Sequence, residues 1–208
     1  RLKSKGINIP FTMPLNTTTV EHAEFPIIIK KMIDGARSKN VFLVRNVTEM
    51  KNVLSEIGDN LGNFIVQEYI EGDEYTCGTI SLNRRVLRDG DTYKCFTEEN
   101  EKIEESVRKI INTILPFGAC NVQLRLKNGI PYIFEINARC SGTTAARTLC
   151  GFNEPLMISN YLLKRIEPQY EIQKKTILRY WNELEIENTQ IEELKKNGHL
   201  FSDKYINL

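Results

Sequence analysis

The sequence predicts an α+β fold with antiparallel pairing, and three observations lead there. Short β-branched runs and helical spacings follow one another without the strict strand and helix alternation that builds a doubly wound parallel sheet. Lys127-Asn128-Gly129 stands between two apolar runs, a strong hairpin signal. Ile103, Val107, Ile110, Ile111 and Ile114 recur at helical spacing, with Glu98, Glu99, Glu101, Lys102 and Glu105 on the solvent side.

Taken in order, Arg1 to Gly6 reads as the last helical turn and glycine stop of an element that starts upstream, so the chain is expected to be a piece of a longer protein. Phe25 to Lys30 and Asn40 to Val44 are β-branched runs that predict a hairpin. Val47, Met50, Val53, Leu54 and Ile57 fall on one helical face behind Asn46, a natural cap. Phe64 to Ile70 and Glu74 to Leu82 read as strands joined through a turn at Gly72. After the isoleucine-rich helix come strands Ala119 to Leu126 and Pro131 to Asn137, a helix over Leu156 to Leu163, and a last strand over Lys175 to Trp181. The charged, weakly periodic tail from Leu184 is expected to be a surface helix.

Composition narrows the function. With 208 residues, and 28 Lys and Arg against 27 Asp and Glu, the chain has a full core and no bulk attraction for nucleic acid or anionic lipid. No apolar run reaches the roughly 20 residues that a spanning helix needs. Five cysteines form no CxxC pair, and an odd number cannot all close into disulfides, which fits a reducing cytoplasm.

The chemistry concentrates in Phe134-Glu135-Ile136-Asn137-Ala138-Arg139. Glu135 and Asn137, two apart on a strand, leave the same face, while Phe134 and Ile136 are expected to point into the core. Hairpin parity decides whether Gln123 joins them. A two-residue Asn-Gly loop opposes Gln123 to Phe134, on the wrong face; a three-residue loop with Gly129 left-handed opposes it to Ile133, beside Glu135. One carboxylate and two amides suit a hard ion such as Mg²⁺, with Mn²⁺ the alternative, and the scatter of His and Cys disfavours zinc. Arg139 reaches the same side if the strand persists, where a guanidinium pairs with phosphate. The same alternation also fits a solvated edge strand.

Other candidates are weaker by residue type alone. Lys30 ends a strand facing the polar loop Met32 to Asn40, an arrangement that holds phosphate or forms a solvated basic tip. Gln67, Glu68, Tyr69 and Ile70 offer a backbone edge that an adenine can read, and Glu74 can accept from ribose hydroxyls; acidic turns of this kind are also ordinary surface. Cys140 reads best as a small hydrophobe in a bend. His22 and His199 have no neighbouring nucleophile pattern.

In this order the pieces resemble the ATP-grasp superfamily, especially ligases like the large chain of carbamoyl-phosphate synthase. The match runs from about Ile7 to Leu163 and is densest at Asn121-Val122-Gln123, at Phe134 to Arg139 and at Ser141-Gly142-Thr143-Thr144. The resemblance implies two lobes whose antiparallel sheets clamp ATP: residues 1–70 as the smaller lobe, 71–183 as the larger lobe with the metal site, and 184–208 as a surface segment. It implies Gln123, Glu135 and Asn137 as Mg²⁺ ligands, Arg139 as the catalytic phosphate contact and Lys30 as a phosphate-binding base. Gln67, Glu68, Tyr69 and Ile70 would form the adenine hinge, with Glu74 on the ribose. The implied activity is ATP-dependent ligation, in which a carboxylate becomes an acyl phosphate that an amine or other nucleophile opens. The alternative is a non-catalytic ATP-binding module of a larger protein. Expected partners are ATP, a small carboxylate and a nucleophilic acceptor, with a homodimer compatible and neither nucleic acid nor membrane involved. The lid departs from the glycine-rich pattern, since Arg37, Lys39 and Asn40 follow Gly35.

Overall fold

The computed structural model describes residues 2–33, 40–82, 85–89, 94–96, 99–178, 192, 195 and 196. The lid stretch at 34–39 and nearly all of the tail lie outside the described residues, as do 179–181 of the last expected strand. Arg1–Ile177 forms one compact unit and Leu178–Leu208 a second.

The first unit holds two four-stranded antiparallel sheets. Strands β1 (Thr12–Pro14), β2 (Ile27–Lys31), β3 (Val41–Val44) and β4 (Phe64–Glu68) assemble in the order β1-β4-β2-β3. The expected hairpin is present, with Ile27 opposite Val44 and Lys30 opposite Val41. A short helix α1 (Thr17–Glu21), capped reciprocally by Asn16 and Thr19, went unread in the sequence, as did β1. Helix α2 (Val47–Ile57) has the bounds its periodicity gives, and the Asn46 side chain accepts from Glu49 N–H. Its Met50 and Ile57 close a core with Leu15, Ile27, Ile29, Val44, Phe64 and Val66. Parity therefore leaves Ile28 and Lys30 of β2, with Gln67 opposite Ile28, on the other face of the sheet.

The second sheet runs β6-β5-β8-β9, from β5 (Asp73–Leu82), β6 (Arg85–Asp89), β8 (Gly118–Lys127) and β9 (Ile130–Asn137). The runs on either side of Gly72 thus belong to different sheets. Strand β7 (Lys94–Phe96) pairs with β10 (Thr176–Leu178). Helix α3 (Glu101–Ile114) lays Ile103, Val107, Ile110 and Ile111 on one sheet face, against Cys77, Cys120, Val122, Leu124 and Ile133. The opposite face is covered at one end by Phe152 and by Met157 and Tyr161 of α5 (Glu154–Lys164), packed on Ile80 and Leu82. A short helix α4 (Thr144–Leu149), not read from the sequence, precedes α5.

Ile110 is fully buried in the α3 core. Ile110→Ala is expected to cost about 2–5 kcal/mol, the transfer term plus the cavity left behind, as measured by urea denaturation.

Candidate active site

The β8–β9 hairpin fixes the geometry, by a route that corrects the sequence expectation. The turn is the two-residue one: Lys127 opposes Ile130, and Asn128 and Gly129 both have positive φ, 52° and 73°. That left-handed pair matches the twist of the strands, and glycine enters it without steric cost. Uninterrupted, this turn would put Gln123 opposite Phe134. Instead the register slips by one residue between Leu124↔Ile133 and Gln123↔Glu135, so Phe134 is the extra residue of a β-bulge. Gln123 and Glu135 become cross-strand partners on one face, as do Asn121 and Asn137. Phe134 is therefore not a core residue, whereas Ile136 packs against the α3 core as expected.

The bulge also aims Phe134 at the first sheet. Lys30 Nζ donates to the Phe134 carbonyl at 3.0 Å and lies 5.7 Å from its ring centroid. The contact brings Lys30, from the face of the first sheet opposite α2, to the strand that carries Glu135. Burial pushes the Lys30 ammonium below its ordinary value, while the Glu135 carboxylate pulls it back up.

Gln123, Glu135 and Asn137 are all half-buried. Asn137 Nδ2 donates to Glu135 Oε1 at 2.6 Å, which orders the carboxylate and aligns the two side chains. Among the described residues no three His, Cys, Asp or Glu side chains cluster as a metal cage. One carboxylate with two amides instead suits an ion that keeps its waters and completes its shell from phosphate oxygens, as Mg²⁺ does.

Arg139 shares the face of Glu135 and Asn137 only if the strand continues to it, and it does not. Strand β9 ends at Asn137, the Arg139 N–H turns back to the Asn137 carbonyl at 2.8 Å, and the exposed guanidinium donates to the Cys140 carbonyl at 3.0 Å. Strand parity therefore does not place it; the loop after the strand does. Burial, reinforced by the nearby Glu154 charge, pushes the Cys140 thiol up and keeps it protonated, as befits a packing residue.

At the joint between the sheets, Arg125 gathers the hinge candidates. It donates to Glu74 Oε2 at 2.5 Å, to the Tyr69 hydroxyl at 3.3 Å and to the Gly72 carbonyl at 3.4 Å, and it lies 5.1 Å from the Tyr69 ring centroid. Glu68 ties the start of β1 by accepting from Phe11 N–H at 3.1 Å, Gln67 donates to Thr12 Oγ1 at 3.0 Å, and Ile70 is buried. Sequence reasoning missed Arg125, although it stands two residues from Gln123 and so on the same face. It also missed Arg147 and Glu154, an ion pair whose side chains are wholly buried. The available signal was an arginine inside the small, apolar run Ala145-Ala146-Arg147-Thr148-Leu149-Cys150.

The family model for ATP-grasp proteins in the biosynthetic pathway with the Ter operon matches residues 60–185, more than half of the chain. The chain belongs to the ATP-grasp family. A RimK-like ATP-grasp model matches residues 12–87 as well. Among curated relatives, D-alanine–D-alanine ligase A of Bacillus cereus is 27% identical over 143 residues, 59% of this chain and 47% of that protein. This ATP-grasp chain thus spans about half the length of the curated relatives it matches. Its fold is shared with the L-amino acid ligase of Bacillus licheniformis, at a TM-score of 0.64 and 19% identity, over 80% of this chain and 46% of that one. It is shared also with N5-carboxyaminoimidazole synthetase of Staphylococcus aureus complexed with ADP, at 0.62 and 18%, over 76% and 48%. None of these is a carbamoyl-phosphate synthase, and the finer likeness to that branch stays a resemblance.

Lys30 gives a pH test. As pH rises towards the ordinary lysine value of 10.5, the folded chain loses the Lys30 proton before the unfolded chain does. The unfolded state then binds more protons, so the Lys30 contribution makes stability rise with pH in the window between its folded value and 10.5. At lower pH both states are protonated, and the folded state carries the whole burial penalty. Lys30→Met should flatten this rise in urea-denaturation midpoints taken across the window.

Proposed function

We propose that this ATP-grasp chain is the nucleotide-binding core of a ligase that joins a carboxylate to an amine at the expense of ATP. The observation that carries the reading is the convergence of Gln123, Glu135 and Asn137 on one sheet face, with Lys30 reaching the same strand from the other sheet. The ligases among its relatives support the same chemistry.

In this reading the nucleotide lies between the sheets. The chain beyond Glu68, at Tyr69 and Ile70, borders the adenine, while Gln67 and Glu68 hold that edge in place through their own bonds to β1. Glu74, held by Arg125, faces the ribose hydroxyls. Lys30 exchanges the Phe134 carbonyl for a phosphate oxygen, a better partner for an ammonium because it carries charge. Gln123, Glu135 and Asn137 would hold Mg²⁺, or Mn²⁺ in its place, which when bound would supply positive charge to offset that of the phosphates. Arg139, on its exposed loop, neutralises charge as the γ-phosphoryl group transfers.

The reaction balances without a protein nucleophile. A carboxylate oxygen attacks the γ-phosphorus, the bond to the β-phosphate oxygen breaks, and ADP leaves. The amine then adds to the acyl carbon, inorganic phosphate departs with the bonding pair, and the amine loses a proton. The chain's tasks are positioning and charge compensation. A cytoplasmic setting is part of the proposal; among the described residues no helix is long and apolar enough to cross a membrane.

The test is ADP release from the full-length protein with Mg·ATP and a panel of carboxylates paired with amines. Glu135→Gln, which keeps the shape and removes the charge, should lower turnover by about a hundredfold or more, the scale of losing a preorganised electrostatic contact. Turnover unchanged in that variant would overturn the assignment. Nucleotide binding with no ADP release on any pair would favour the non-catalytic module.

A further inference from the structure

Arg147 and Glu154 take part in none of the steps above, yet both side chains are wholly buried. Arg147 Nε and Nη2 donate to Glu154 Oε2 and Oε1, both at 3.0 Å, in a two-pronged pairing that fixes the guanidinium plane. Thr144 adds its hydroxyl to the same Glu154 Oε2 at 3.1 Å. A buried ion pair is a weak device for stability, because removing two charges from water costs about what their attraction returns. Its remaining contacts show what it organises.

They converge on the loop that follows the metal-ligand strand. Arg147 Nη1 donates to Thr143 Oγ1 at 2.6 Å and Nη2 to Ser141 Oγ at 2.9 Å. The Ser141 hydroxyl also accepts from Thr143 N–H at 3.1 Å, and the two hydroxyl oxygens are 2.6 Å apart. This loop leaves β9 directly after Asn137 and carries Arg139. On its other side the guanidinium lies against β5: a Cβ on Gly78 would fall 2.5 Å from Arg147 Cζ, so only glycine lets the two approach. Gly78 is opposite Asn121, which is opposite Asn137. One rigid cation thus joins the sheet, α5 and both hydroxyls of the loop that has no strand to hold it.

We infer that Arg147, oriented by Glu154, is a positioning residue that sets the loop carrying Arg139 against the terminal phosphate of the bound nucleotide. The inference rests on the ligase reading above. Lysine at 147 keeps the charge but cannot make the two-pronged pairing and hold both hydroxyls at once.

The test uses calorimetry on the full-length protein with two probes, Mg·ADP and the non-hydrolysable Mg·adenylyl imidodiphosphate, which differ by the terminal phosphate. Arg147→Lys should weaken binding of the triphosphate analogue about tenfold, the scale of one charge-assisted contact, and leave Mg·ADP binding nearly unchanged. In an Arg139→Ala background, Arg147→Lys should produce no further loss. Ser141→Ala removes one acceptor without exposing the buried pair to an unmatched charge; it should shift the same ratio in the same direction by less, and it decides the matter if Arg147→Lys does not fold. Equal losses for both nucleotides, an additive loss beside Arg139→Ala, or a lowered melting temperature with an unchanged ratio would overturn the positioning role. Wild-type protein that binds neither nucleotide would overturn the ligase reading itself.

Discussion

Strand register in one hairpin is the constraint on which the site depends. Side chains alternate faces with a period of two, so a single-residue slip sends every residue beyond it to the opposite side of the sheet. The Asn128-Gly129 turn by itself would separate Gln123 from Glu135. The extra residue at Phe134 reverses the parity for the rest of β9, and the oxygen donors of two strands then share a face. The near half of the hairpin obeys the turn, and the far half obeys the site.

The bulge has a second effect through its own residue. An unpaired position frees a carbonyl from the ladder, and Phe134 offers its carbonyl and ring to Lys30. Lys30 lies on the face of its sheet that α2 leaves open, because Ile27 and Ile29 occupy the packed face. Alternation in β2 and the irregularity in β9 therefore act together: one delivers a cation, and the other supplies a neutral oxygen that holds it. A bond to a neutral carbonyl is weaker than one to a phosphate, so the cation is held in place yet remains exchangeable.

Electrostatics divide the remaining charges by burial. Arg125 with Glu74 is partly exposed, where water screens the attraction and the pair's worth lies in orienting a carboxylate. Arg147 with Glu154 is sealed from solvent, where an unmatched charge is intolerable and the geometry is correspondingly rigid. A loop without a regular ladder thereby acquires a fixed shape from side-chain bonds.

Local pattern was enough for most of the fold. The α2 and α3 helices, the β2–β3 pairing and the β8–β9 hairpin are visible because period and turn chemistry are properties of neighbouring residues. The convergence of Gln123 with Glu135 was also expected, though through a three-residue loop that does not occur. The bulge was illegible because it answers to the partner strand and to Lys30, 104 positions away in the chain. The short elements β1, α1 and α4 carry too few residues for a period. Arg139 lies past the end of β9, which stops at Asn137 as its sequence pattern gives, so alternation could not place it and the loop that Arg147 holds does. Residue types and spacing thus determined which groups have the chemistry that suits a hard ion and phosphate: one carboxylate, two amides and nearby cations. Tertiary structure alone decided how they meet, since register, burial and the path of a loop are set by contacts between segments distant in the chain.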